Sequence, residues 1–347
     1  MGGDDTFTTD FSGGNFQDII NYDGGAGAQT NGDTLALSGG TFANAIYNFL
    51  NENDGSIELT GNQLITYVGL EPISSTITAA DVVLNYSNTS ETITTTSAGA
   101  AQTTVNSTAG EVVTFNNPTN SLTVNPGITG PNIINVEGLG TGFNANFTIN
   151  GGINDPINFQ SNPTNIGNGN LVVTGAEIII NQDITTTGAG AISQTSESKI
   201  LIYAGASLSA VDGNISLLGK GITPGDYDGL LVVSSSKVQT SGIGNISLTG
   251  TAQSLGANSF NYGVVLEGTG QVITSGTGTV TLDGTGAANG VDRNDGIAIG
   301  FDSSVISNGG AILLTGVGGG TGNSNYGISI RGNSTVTNIN DGKITLD

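Results

Sequence analysis

Ile246-Ser247-Leu248-Thr249-Gly250, Val280-Thr281-Leu282-Asp283-Gly284 and Ile312-Leu313-Leu314-Thr315-Gly316 are three copies of one phrase. It occurs earlier as Ile215-Ser216-Leu217-Leu218-Gly219 and again as Ile344-Thr345-Leu346-Asp347, at spacings of 31, 34, 32 and 32 residues. A second phrase keeps step: Gly229-Leu230-Leu231-Val232, Gly263-Val264-Val265-Leu266, Gly296-Ile297-Ala298-Ile299 and Gly327-Ile328-Ser329-Ile330. A third is marked by Val238, Val272, Val305 and Val336. Each phrase is strand-length, with side chains alternating between two faces. Three short strands in fixed order, repeated at one period, describe a three-sided coil whose rungs bury their aliphatic residues only by stacking. A β-sandwich of irregular hairpins would not demand phased spacing over four copies.

Upstream the period shortens. Leu171, Ile192 and Ile215 lie 21 and 23 residues apart, with Ile178-Ile179-Ile180 and Ile200-Leu201-Ile202 between them. The extra ten or so residues of the later coils fall between the Ile-x-Leu-x-Gly strand and the Gly-Ile-x-Ile strand. One corner therefore carries a polar loop, such as Thr251 to Asn261 or Val317 to Asn325. The fold expected is all-β: a right-handed parallel β-helix over 166–347, with coils of 21–23 and then 31–34 residues. Residues 1–165 form a less regular β-rich region that is a cap, a separate β-domain or early solenoid coils. Its strands are expected at Thr34 to Leu37, Ile57 to Leu59, Leu64 to Val68, Val82 to Tyr86, Val112 to Phe115 and Leu122 to Val124. Further ones are expected at Ile133 to Val136, Phe147 to Ile149 and Ile157 to Phe159, and Ala43 to Leu50 has a weak helical look. Thr-rich segments such as Thr92 to Thr96 suit outward strand positions or an ice-binding face.

Composition sets the chemical limits. Among 347 residues there are 57 Gly, no His, Cys or Trp, and 6 Lys+Arg against 28 Asp+Glu, a net charge of −22. Only 10% of residues are charged and 36% are apolar, which separates the chain from acidic disordered tails. Without His and Cys there is no Ser-His-Asp triad, no thiol nucleophile and no zinc site of the usual N/S type. An acidic surface repels nucleic acid and anionic lipid, so neither nucleic-acid binding nor membrane insertion is expected. The first residues carry no secretion-signal pattern and no window reaches 18 apolar residues. The Ile344 phrase stops inside a core strand, which suggests a segment of a larger protein or an end that docks on another subunit.

The Gly-x-Ile-x-Leu-x-Gly units, with Val-x-Thr-Ser-Gly-x-Gly between them (Val238 to Gly244, Val272 to Gly278), resemble the β-helix repeats of filamentous-haemagglutinin and autotransporter-type bacterial surface proteins. The resemblance covers about 165–347. It implies an extracellular or cell-surface location and a non-enzymatic structural or adhesive role. Partners would be a glycan, a cell-surface protein or further copies in end-to-end self-association. It carries over no catalytic residue.

Calcium is the one cofactor the composition invites. Gly24-Gly25-Ala26-Gly27 followed by Gly32-Asp33-Thr34-Leu35, and Gly151-Gly152-Ile153-Asn154-Asp155-Pro156-Ile157, partly match the nonapeptide of calcium-binding β-rolls. Asp33 and Asp155 would be their ligands. In the variable corner, Asp226 and Asp228, and Asp292 and Asp295, offer oxygens at short spacing suited to a hard cation. Asn261-Tyr262 and Asn325-Tyr326 in sister coils favour a stacked ladder there instead of a metal. The enzymatic alternative is a polysaccharide lyase or hydrolase, which needs clustered acids or an Arg or Lys base on one wall. The only arginines are Arg293 and Arg331, and Asp283 and Asp302 are isolated. Inward Ile312→Asp is expected to unfold neighbouring coils and outward Ser329→Asp to be tolerated.

Overall fold

A computed structural model describes residues 4–25, 32–87, 90–99, 101–128, 130–221, 228–254, 256 and 258–347. The chain is all-β and divides into two compact units, Met1–Asn154 and Asp155–Asp347. The division falls ahead of residue 165, because the first three-strand coil already begins at Ile157–Phe159.

The second unit is a parallel β-helix with three walls. Wall one stacks Ile157–Phe159, Ile178–Ile180, Ile200–Ile202, Leu230–Val233, Val264–Glu267, Ile297–Ile299 and Ile328–Ile330. Wall two stacks Thr164–Gly167, Ile184–Thr186, Ser207–Ala210, Lys237–Thr240, Gln271–Thr274, Ser304–Ser307 and Thr335–Asn338. Wall three stacks Leu171–Gly175, Ile192–Ser196, Ile215–Gly219, Ile246–Thr251, Val280–Thr285, Ile312–Val317 and Ile344–Leu346. The strand pairings within these walls are parallel, and the register follows the sequence phrases residue for residue: Ile192, Ile215, Ile246, Val280, Ile312 and Ile344 form one column. Leu208, Val238, Val272, Val305 and Val336 form another. The residues of these columns are buried as far as Val305 and Ile312. With strands about 4.8 Å apart, like side chains meet like at van der Waals distance.

The Val-x-Thr-Ser-Gly-x-Gly phrase is the corner between walls two and three. Its inward hydroxyl donates to the carbonyl that closes the turn: Thr186 to Gly190 and Thr240 to Gly244, with Ser307 to Gly310 in a later coil, each at 2.7 Å. A buried hydroxyl is thereby satisfied. The glycines stack so closely that a Cβ on Gly244 would fall onto the Gly213 carbonyl, and one on Gly278 onto the Gly244 carbonyl.

At the corner between walls three and one, the polar loops leave and return through paired glycines. A Cβ on Gly250 would occupy the Gly263 carbonyl, one on Gly284 that of Gly296, and one on Gly316 that of Gly327. The loop bases are pinched shut by backbone alone. In the later coils the loops fold over the outside of wall one. There Tyr262 covers Val265 and Ala298, with Leu231 packed alongside. This explains why the Gly-Val-Val-Leu phrase is apolar at every position. Both faces of that strand are covered, although strict alternation would put its middle residue in solvent.

The first unit is a mixed β-structure. One set of strands runs Thr6–Asp10, Thr34–Ser38, Ile73–Ser75, Val113–Asn116, Gln102–Ser107, Thr92–Gly99 and Ile133–Glu137. A second runs Ile20–Asp23, Ile65–Val68, Gly55–Leu59, Thr41–Phe49, Thr78–Asn85, Ser121–Asn125 and Asn146–Asn150. Each set is parallel apart from one strand, Gln102–Ser107 or Gly55–Leu59, that is antiparallel to both neighbours. The Ala43 to Leu50 stretch is a strand, since Phe42, Ala45, Tyr47 and Phe49 point inward in a β pattern. Its core is aromatic: Phe49 stacks on Tyr86 at 4.8 Å and Phe11 meets Phe42 edge-on at 5.1 Å.

Candidate functional site

The acidic residues singled out from the sequence are distributed as rung-to-rung ties. The Asp228 carboxylate accepts the amide of Tyr262 in the next coil at 2.6 Å, and that of Asp295 accepts the amide of Tyr326 at 2.9 Å. Asp292 accepts the Asn323 amide at 2.6 Å. Asp212 and Asp183 do the same for Ile243 and Ser207. An Asx oxygen at a corner thus replaces the ladder bond that the turning backbone cannot make. Beside them runs an amide ladder, Asn261 to Asn294 to Asn325, in which each side-chain oxygen accepts from the coil before. Burial pushes the Asp228 carboxyl up to about 6, against the stabilising Tyr262 amide.

In the first unit Asp33 is buried and accepts the Asp5 amide at 2.7 Å. Asp155 is buried at the start of the second unit, where its carbonyl accepts the Ala176 amide. Asp226 lies outside the described residues, as do 26–31 of the first glycine-rich motif. Among the described residues no three acidic side chains converge in a way that could hold a metal ion. Ser329 differs from its sequence reading. Its hydroxyl donates to the buried Asp295 carboxylate at 2.6 Å, which also pairs with Arg331 at 3.1 Å. An acid at position 329 would sit against Asp295, so Ser329→Asp is not a benign surface change.

What the structure does gather is a groove where the loops meet wall one. It has a volume of about 400 Å³ and is lined by Phe260, Tyr262, Glu267, Arg293, Phe301 and Arg331, together with Gly300 and Gly332. The register explains how residues so far apart in sequence meet. Glu267, Gly300 and Arg331 occupy one column at the end of wall one in three consecutive coils. Gly300 has open space where a Cβ would stand, leaving a notch between a carboxylate and a guanidinium. Arg293 lies over the Phe260 ring at 5.4 Å and Arg331 over the Tyr262 ring at 5.9 Å, cation–π arrangements that hold both guanidinium planes at the groove. Burial raises the Glu267 carboxyl, with Arg331 opposing that shift.

The first unit holds a different group of polar residues, in its interior. Glu111 and Glu91 are buried, and the Tyr67 and Tyr86 hydroxyls near them have no hydrogen-bond partner among the described residues. Ser107 donates to Glu91. Burial lifts Glu111 to about 8, against the lowering effect of the Val112 amide. Neither glutamate stands in a motif.

Comparison of the chain with protein-family models, with curated proteins and with solved structures gives no match.

Proposed function

We propose that this chain is a non-enzymatic structural and adhesive β-solenoid module of a surface or secreted protein, a stiff stack of coils that displays loops from one corner. The observation that supports it most is the use made of its carboxylates. The corner aspartates Asp228, Asp295 and Asp292 are spent on next-coil amides. Asp283 and Asp302 stand alone and exposed. An acid–base pair for glycan cleavage needs two carboxyl groups facing one substrate bond. The acidic exterior suits a protein that stays dispersed in a salty medium. Incubation with pectate, alginate and mixed plant glycans should leave polymer viscosity and reducing ends unchanged. Progressive cleavage of any of them would establish the enzymatic alternative.

A further inference from the structure

We propose that the groove between the loops and wall one binds an acidic saccharide, a sugar ring bearing a carboxylate. This deepens the adhesive reading above, on which it rests, by naming the class of ligand.

Three observations carry it. The first is charge placement. The chain has two arginines, and both line this groove. Arg331 is paired with the buried Asp295, whereas Arg293 has no carboxylate partner among the described residues. A guanidinium lying over Phe260 at 5.4 Å keeps N–H donors in the planar fork that matches a carboxylate. In a protein of net charge −22, a guanidinium with no carboxylate partner among the described residues, beside an aromatic platform, is a place where an anion gains by docking.

The second is aromatic exposure. Phe260 is 55% exposed and Phe301 67% exposed, so neither serves the core. Flat apolar rings in water next to hydrogen-bonding groups offer stacking to the C–H face of a pyranose. Glu267 across the Gly300 notch can accept from its hydroxyls. An acidic peptide has no comparable flat face to set on these rings, and the chain's general charge would repel it. The volume of about 400 Å³ falls in the range of small-ligand sites, roughly 300–1,000 Å³.

The third is the backbone that displays these residues. Two positions beyond the register-matched residues Ile202, Val232, Leu266, Ile299 and Ile330, five successive coils turn through the left-handed region: Ala204, Ser234, Gly268, Phe301 and Gly332, at φ 54–60°. Four coils fill that turn with Gly, Ala or Ser. One fills it with Phe, the type of residue that conformation tolerates poorly. Phe260 and Arg293 are also left-handed, at φ 69° and 55°. Three of the residues that line the groove thus hold strained backbones that the fold fills more easily elsewhere, a pattern found where residues are kept for binding.

The test is binding by calorimetry and on an immobilised set of oligogalacturonate, oligomannuronate, hyaluronan hexasaccharide and sialyllactose, each beside its carboxyl-reduced neutral counterpart. We expect at least one acidic member to bind, its neutral counterpart to bind at least tenfold more weakly, and Arg293→Gln and Phe301→Gly each to weaken binding at least tenfold. Phe301→Gly installs the residue that two sister coils already carry, so its thermal melt should not fall. Arg293→Lys should recover only part of the loss. Equal binding of acidic and neutral partners, full binding by both variants, or no binding to any acidic member would each overturn the assignment. None of these outcomes bears on the cleavage test, which alone decides between module and enzyme.

Discussion

The two units solve one problem, covering the faces of short strands, with different materials. In Asp155–Asp347 aliphatic side chains stand in columns of Ile, Val and Leu, and every rung repeats the last. In Met1–Asn154 the interior is filled by Tyr47, Tyr67, Phe115 and Phe147, with Glu91 and Glu111 buried beside them. A column tolerates no individuality, because each residue is packed by its own equivalents above and below. A core of aromatic rings with two antiparallel strands lets each side chain find a separate niche, including niches that hold a carboxyl group away from water. Regularity spreads any injury along the stack. Irregularity confines it and ties stability to pH.

The strongest way to break this contrast is a charge in a column. Ile312→Asp should cost on the order of 5 kcal/mol or more, because an ion is expelled from water without a partner. Hydrogen exchange should show lost protection at Val280–Thr285 and Ile344–Leu346 while Thr78–Asn85 keeps its own. Protection lost evenly across both units would erase the distinction. Ser216→Asp, on the exposed side of the same wall, should stay within about 0.5 kcal/mol.

The next prediction concerns pH. Glu111 is lifted from an ordinary value of 4.5 to about 8. The folded chain therefore holds that proton more tightly than the unfolded one. Stability of the first unit should fall as pH rises from about 4.5 to about 8 and be level below that window. The ceiling is about 1.4 kcal/mol per unit of pH. Glu91, also raised by burial, adds to the same trend. Glu111→Gln should flatten the dependence in denaturant titrations of the first unit. A wild-type profile that is flat over this range, or rises, would contradict the burial of that carboxyl.

A smaller effect tests the loop necks. Gly284→Ala sets a Cβ on the Gly296 carbonyl and should cost about 2 kcal/mol, with exchange faster on both sides of the loop base. The smallest is Phe301→Gly, which should raise stability by about 0.5–1 kcal/mol by relieving a left-handed aromatic residue.

Much of the second unit was legible because the chain says the same thing repeatedly. Ile246, Val280 and Ile312 are equivalent by spacing, and the register makes them neighbours. The loop corner was legible from the change of period. In the first unit, Thr34–Ser38, Val113–Asn116 and Asn146–Asn150 follow the apolar alternation read there. The strands Thr6–Asp10, Thr92–Gly99 and Gln102–Ser107 were harder, since threonine fills both faces and leaves little alternation to read. The corner acids were visible, but spacing alone could not tell a cation ligand from a tie to the next coil; that choice depends on where the neighbouring amide points. The groove was hidden for a different reason. Glu267, Phe301 and Arg331 belong to three coils, and no local motif joins them. Aligning the coils on their Ile and Leu columns would have placed Glu267, Gly300 and Arg331 in one file and shown Phe301 standing between Gly268 and Gly332.

The pinched glycine pairs at Gly250 and Gly263, Gly284 and Gly296, and Gly316 and Gly327 make each loop a closed appendix. What happens beyond the pinch reaches the stack only through the loop residues that lie on wall one or tie one coil to the next, such as Tyr262 and Asp295, so length and chemistry at the other loop positions can drift while the stack keeps its pitch. Such a molecule can exchange its recognition surface one storey at a time, and a grafted hairpin of foreign sequence should be carried without loss of the scaffold.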